Sequence, residues 1–166
     1  PAPITMELTS AAFDEGETMP AENTCEADYG DDVSPHMAWT GVPSEAKSVA
    51  LIANDPATPA GNWILWTVYG ISPSITEIEP GELPDNADVA PAGARQGKNS
   101  FDRIGYDGPC PFDNETHAYF FKIYALDTDI DLDEGAGLSQ LTGAMEGHIL
   151  AEGHLMGQYK HQYKQI

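Results

Sequence analysis

His117 and Tyr119 are the side chains whose types and spacing most readily suggest polar chemistry. A spacing of two puts both on one face of a strand. An imidazole can carry a proton to or from a ligand near neutral pH, and a phenol adds a hydroxyl donor. The pair lies within Gly97 to Asp127, GKNSFDRIGYDGPCPFDNETHAYFFKIYALD, which opens as a glycine-containing loop and runs through a proline-dense turn into a strand. Gly105, Gly108, Pro109 and Pro111 are turn residues, and the two prolines cannot donate to a sheet ladder. A rigid loop beside a His/Tyr pair is one way to build a small polar site at a sheet edge. The same spacing also suits a long loop before an ordinary strand, with His117 as a capping residue. Lone histidines are commonly structural, and spacing alone leaves both readings open.

Other chemistry-bearing residues point less clearly to a site. His148 and Glu152 are four apart and would share one face of a helix, but two ligands without a third make a poor metal site. His148 also falls on an apolar stripe, where a core histidine is the simpler reading. His36, in SPHMAW, is expected to stabilise a turn, and His154 and His161 to belong to the terminal strand and tail. Ser34 and Ser100 have no nucleophile elbow around them, which argues against a serine hydrolase. No glycine-rich nucleotide fingerprint is present. Cys25 and Cys110 suit either one disulfide or two buried thiols, and without a C-x-x-C spacing a structural zinc is not expected. No cofactor or metal is expected.

The elements that must position these residues are mainly β. Turn signals recur at Gly30, Gly41 to Pro43, Pro56 to Gly61, Gly70 to Pro73, Gly81 and Pro91 to Gly97. Between them lie short runs rich in Val, Ile, Phe, Tyr and Trp, clearest at Ser48 to Ala53, Trp63 to Ile71 and Ala118 to Leu126. This rhythm predicts a mainly antiparallel sheet protein. Leu138, Leu141, Met145, His148 and Ile149 recur at steps of three and four, which predicts one helix from about Leu138 to Glu152. Gly153 would then stop the helix, and His154 to Tyr159 would form a closing strand. Leu83 to Gly97 has few large apolar residues and reads as a long loop. Trp39, Trp63 and Trp66 are expected in or near the core.

At 166 residues the chain is expected to be one domain, 1–166, able to bury about 70% of its unfolded surface without a metal or disulfide staple. No apolar run reaches membrane-spanning length, and no segment reads as a signal peptide. The chain opens at Pro1, as a processed or trimmed form would. Asp plus Glu number 27 against 7 Lys plus Arg, a net charge of -20. The acids are spread over Asp14 to Glu17, Glu22 to Asp32, Glu77 to Asp88 and Asp127 to Glu134, with apolar strands between, so they do not form an acidic tail. The composition favours adaptation to high salt, where self-repulsion is screened, over an ordinary acidic secreted protein. A cytoplasmic location follows from that preference. Nucleic acid and anionic membrane surfaces are both disfavoured as partners.

The Gly97 to Asp127 segment resembles the second signature of the phosphatidylethanolamine-binding protein family, in its bacterial and archaeal Raf kinase inhibitor-like branch. That signature is a glycine-asparagine-phenylalanine loop, then GY-x-GP-x-P, then H-x-Y-x-F-x-x-YALD. Asp55-Pro56 with Pro59, Gly61 and Trp63 to Tyr69 resembles the first signature, D-P-D-A-P followed by a tryptophan-bearing strand. Asp32 to Trp39, DVSPHMAW, is similar to the family's NISPHLAW, and His148 to Tyr159 resembles its C-terminal end. The resemblance implies a large antiparallel sheet packed with a smaller sheet and one or two short C-terminal helices. It also implies a surface cavity that holds an anion such as phosphate or a phospholipid headgroup. By match, the cavity would be lined by Asp55, Pro111, His117 and Tyr119, with Trp63 and Leu65 on the tryptophan strand and loop amides near Gly108 as donors. Relatives with cysteines at both corresponding places make a Cys25–Cys110 pairing plausible. Homodimerisation through a sheet face is similarly implied.

The chain departs from the pattern twice. Ala57 stands where the second aspartate is expected, and Leu65 where the strand histidine is expected. Alternation would place Trp63, Leu65, Thr67 and Tyr69 on one face, so Leu65 should still face the cavity. An acid and a base have gone together, which reads as an ion pair replaced by apolar surface. The expected result is a smaller, drier pocket with weaker phosphate binding, in which Asn62 supplies a compensating amide donor. The leading expectation is a non-enzymatic protein that binds a small anionic or polar ligand and regulates or inhibits a protein partner. The alternatives are an enzyme using Asp55 and His117 as an acid–base pair, and a remnant whose pocket has degraded.

Overall fold

A computed structural model describes residues 4–25, 32–83, 93–111 and 113–160. In chain order the strands are β1 (Ile4–Thr5), β2 (Glu7–Thr9), β3 (Met37–Thr40), β4 (Ser48–Thr58), β5 (Gly61–Ile71), β6 (Glu77–Ile78), β7 (Arg95–Gln96), β8 (Thr116–Leu126) and β9 (Ile149–Lys160). Among the described residues an α-helix, α1 (Leu138–Met145), precedes β9, and a 3-10 turn spans Ala21–Asn23. Among the described residues the strands form a six-stranded sheet, β1-β9-β8-β4-β5-β7, and a three-stranded sheet, β2-β3-β6. The large sheet is antiparallel except where β1 joins β9 in parallel. Two sheets, one small, and a short helix are the architecture expected from the sequence. No described helix is long and apolar enough to cross a membrane.

β4 lies at the centre of the large sheet and is buried on both faces from Ser48 to Asp55. Its alternation separates two cores. Val49, Leu51 and Ala53 face the core shared with the small sheet, where Leu8, Met37, Trp39, Phe121 and Ile123 also lie. Ala50 and Ile52 face a second core with Tyr69, Leu126, Leu141 and Met145 beneath α1. A strand this apolar is legible because both of its faces are covered.

The C-terminal expectation needs correction. The helix ends at Met145, not near Glu152, and the closing strand begins at Ile149, not His154. Gly147 takes a left-handed φ of 81° just beyond the helix, the usual way to stop one. Leu141 and Met145 are the residues α1 buries. His148 and Ile149 continue the numerical spacing but already belong to the chain entering β9. Gly153 is therefore mid-strand rather than a helix stop. A Cβ there would lie 2.3 Å from the Met6 carbonyl oxygen, so glycine is required by the N-terminal segment crossing β9. The helical His148/Glu152 face does not exist. His148 instead pairs its Nδ1 with Asp127 at 2.7 Å, half-exposed. His36 binds Glu77 through Nε2 at 2.7 Å and accepts the Ala11 amide at Nδ1, tying two loops together. The expected loop Leu83 to Gly97 contains β7 at its end, and its residues 84–92 lie outside the described set, as do Gly30 and His161.

Candidate functional site

The alternation that builds the core also builds one end of the large sheet. β4 continues from Ala53 to Asp55 on the small-sheet face. β8 pairs Phe121 with Ala53, so Tyr119 and His117 follow on that same face. β5 reaches this end through a bulge. Ala53 pairs with Trp66 but Asn54 pairs with Ile64, leaving Leu65 as the extra residue. Leu65 and Trp66 consequently both belong to the small-sheet core. The bulge keeps Leu65 and Trp63 at the site but sends Thr67 and Tyr69 to the opposite face, Tyr69 into the helix-side core. The expectation of one face for Trp63, Leu65, Thr67 and Tyr69 therefore fails beyond Leu65.

The 97–111 loop closes over the bulge, and its hydrogen bonds explain why its sequence is so specific. Asn99 accepts from the Phe101 and Arg103 amides and donates to Gly105 O and Asp107 Oδ2. Ser100 N–H and Asp107 N–H donate to the carbonyls of Ile64 and Leu65. Tyr106 donates to Asn23 O at 2.6 Å and stacks edge-on against Trp66. Gly108 sits where a Cβ would lie 2.0 Å from Asn23 O. Its N–H donates to Asp32 Oδ1 at 3.0 Å, so it is not the free ligand donor expected from the sequence. A disulfide joins Cys25 to Cys110, with 5.3 Å between the Cα atoms, and the Cys25 amide donates to Pro109 O. The two cysteines thus resolve to the bridged alternative.

His117 lies between two carboxylates. Its Nδ1 is 2.6 Å from Asp55 Oδ2, and its Nε2 is 2.9 and 3.0 Å from the oxygens of Asp113. Only the doubly protonated ring can donate at both ends. Burial pulls the His117 pKa down, but the hydrogen bonds and charges of Asp55 and Asp113 outweigh it and raise the value. The Asp113 carboxyl is held below its usual range by the Glu115 amide and then by His117. Asp55 Oδ1 also accepts the Ala57 amide at 2.9 Å. Tyr119 is 3% exposed, and its ring lies 6.3 Å from that of His117. Burial, then the Asp55 charge, pushes its phenol well above the ordinary value, so it stays a neutral hydroxyl. That hydroxyl has no hydrogen-bond partner among the described residues.

All seven residues singled out from the sequence, Asp55, Trp63, Leu65, Gly108, Pro111, His117 and Tyr119, line one cavity of 370 Å³. This lies at the small end of the range for ligand pockets. Trp63 and Phe101 meet edge-to-face in its wall, with ring centroids 5.1 Å apart. Asn62 is not in the wall, so the expected compensating amide is not at the site; its side-chain oxygen accepts from Asn54 Nδ2 at 2.6 Å. Sequence reasoning missed Asp113, Phe101 and Cys110 as wall residues. The signal for Asp113 was its place four residues before His117, across a tight turn that returns it to the same ring. No group of three His, Cys, Asp or Glu among the described residues could hold a metal.

The profile of the family described as phosphatidylethanolamine-binding protein matches residues 9–160. The chain belongs to the phosphatidylethanolamine-binding protein family. Its relatives place it in the bacterial and archaeal branch. It is 43% identical over 155 residues to a UPF0098 protein of Methanothermobacter thermautotrophicus, covering 93% of this chain and 99% of that one. A UPF0098 protein of Chlamydia muridarum is 43% identical over 160 residues, covering 93% and 99% of the two chains. Among solved structures, the phosphatidylethanolamine-binding protein homologue CT736 of Chlamydia trachomatis superimposes with a TM-score of 0.83 at 40% identity, covering 95% of this chain and 99% of that one. E. coli YbcL, described as a member of the mammalian family, superimposes with a TM-score of 0.85 at 27% identity over the same shares.

Proposed function

We propose that this chain is a small-ligand binding protein, not an enzyme, and that the Asp55/Leu65/Pro111/His117/Tyr119 cavity is its binding site. The observation that carries this reading is the convergence on one 370 Å³ hollow of residues spread from position 55 to position 119. The cavity holds phosphate or a phospholipid headgroup more weakly than the family pattern implies. Leu65 removes one cationic donor, and both N–H groups of His117 are already given to carboxylates. The Gly108 amide serves Asp32, and Pro109 and Pro111 have no amide proton to offer. An acid–base role for His117 is disfavoured by the same pairing, since neither nitrogen is open to a substrate. Regulation of a protein partner through the cavity rim is the wider role the family suggests. The Cys25–Cys110 bridge favours an oxidising compartment over the high-salt cytoplasm suggested by composition.

The test is calorimetric titration with phosphate and with phosphoethanolamine, comparing wild type with Leu65→His, alone and combined with Ala57→Asp. One restored charge-assisted donor should tighten binding about tenfold or more. Equal affinity of wild type and both variants would defeat the reading.

A further inference from the structure

The cavity offers a ligand far more acceptors than donors. Two carboxylates, Asp55 and Asp113, face one imidazolium, so its ionised groups leave one net negative charge. Among the described residues no Lys or Arg lines its wall. Arg103 is bonded through Nε and Nη2 to Asp107 and lies over the Phe101 ring, 5.9 Å from its centroid. Each carboxylate retains acceptor capacity: Asp55 accepts from Ala57 and His117, and Asp113 from Glu115 and His117.

A second feature, independent of the acids, also points to a ligand. Tyr119 is 3% exposed, its hydroxyl is unpartnered among the described residues, and it forms part of the cavity wall. The ring is buried while the hydroxyl opens into the cavity, where it is free to bond a ligand. The remaining wall is apolar and aromatic, with Trp63 and Phe101 at right angles and Pro59, Pro109 and Pro111 beside them. Aromatic faces attract ammonium groups, and indole does so best.

We infer that the ligand of this cavity is a small organic amine in its ammonium form, with its N–H groups on Asp113, Asp55 and the Tyr119 hydroxyl and its apolar body against Trp63, Phe101 and the prolines. This rests on the binding-protein reading and assigns that site its ligand class. The protein would thus select by charge in the direction opposite to an anion site.

The experiment is a calorimetric titration of the full chain at 0.15 M salt with three probes of nearly one shape: benzylamine, benzyl alcohol and benzoate. Benzylamine is expected to bind about tenfold or more tighter than benzyl alcohol, the worth of one charge-assisted hydrogen bond. Benzoate is expected to show no saturable binding. Asp113→Asn, at a half-exposed loop position, should lower benzylamine affinity several-fold and benzyl alcohol affinity much less. Benzoate binding as well as benzylamine, or benzylamine binding no better than benzyl alcohol, overturns the amine assignment and leaves the cavity reading standing. Benzylamine binding that is indifferent to Asp113→Asn belongs to the acidic surface and also overturns it. Absence of saturable binding by all three probes overturns both the assignment and the reading beneath it.

Discussion

Replacing both cysteines, Cys25→Ser with Cys110→Ser, should cost much stability and little structure. The bridge spans a sequence separation of 85 residues. Loop-closure entropy for a ring of that size corresponds to about 4.5 kcal/mol at 25 °C, an effect exerted on the unfolded chain. The folded loop keeps three other ties to the same segment: Tyr106 to Asn23 O, the Gly108 amide to Asp32, and the residue-25 amide to Pro109 O. The cavity wall should therefore stay in place. Urea unfolding followed by tryptophan fluorescence gives the stability difference, and the slope with urea should rise because the unfolded chain becomes more expanded. A loss below about 1 kcal/mol with an unchanged slope would refute the reasoning, because the ring would then not constrain the unfolded state as closure entropy requires.

Three further outcomes follow from particular contacts. The His117 ring should titrate above about 6.5, followed by its carbon-bound proton in NMR, and Asp113→Asn should lower that midpoint. Because the folded value is raised, the stability contributed by the Asp55–His117–Asp113 pairing is fully present below about pH 6.5 and is lost as pH rises through the folded value. Stability of His117→Gln should lack that component of the pH dependence. Gly153→Ala should destabilise by about 2 kcal/mol or more in thermal or urea unfolding, because its methyl meets the Met6 carbonyl. A helix position would instead gain about 1 kcal/mol from the same change. Gly108→Ala should cost about 3 kcal/mol, since backbone rather than a flexible side chain blocks the Cβ, and an unchanged melting temperature would contradict the packing described.

The central strands were legible in the sequence because burial on both faces of β4 makes its composition unmistakable. His117 and Tyr119 were legible as a same-face pair because no bulge interrupts β8 before Leu126. β5 was not fully legible. The extra residue at Leu65 leaves no compositional mark, yet it reverses the side chains from Trp66 to Tyr69, until a second register shift returns Ile71 to the small-sheet core. The C-terminal helix was overextended because apolar residues at steps of three and four continue into β9 by coincidence. What ends the helix is backbone geometry at Gly147, and what makes Gly153 necessary is Met6, nearly the whole chain away. The cavity's wall was legible from motif positions, but its electrostatics were not. Asp113 and Asp32 capture the donors that the motif positions seemed to offer, and neither contact follows from residue type alone.

The central claim is that the hollow between Asp55 and Tyr119 is where this protein takes its ligand. The most direct measurement is amide and indole NMR of the full chain during titration with a small aromatic amine. The account predicts saturable shifts centred on Asp55, Trp63, Phe101 and Tyr119. Saturable shifts centred instead on the outer groove of the large sheet, at Phe120, Lys122 and His154, would contradict it.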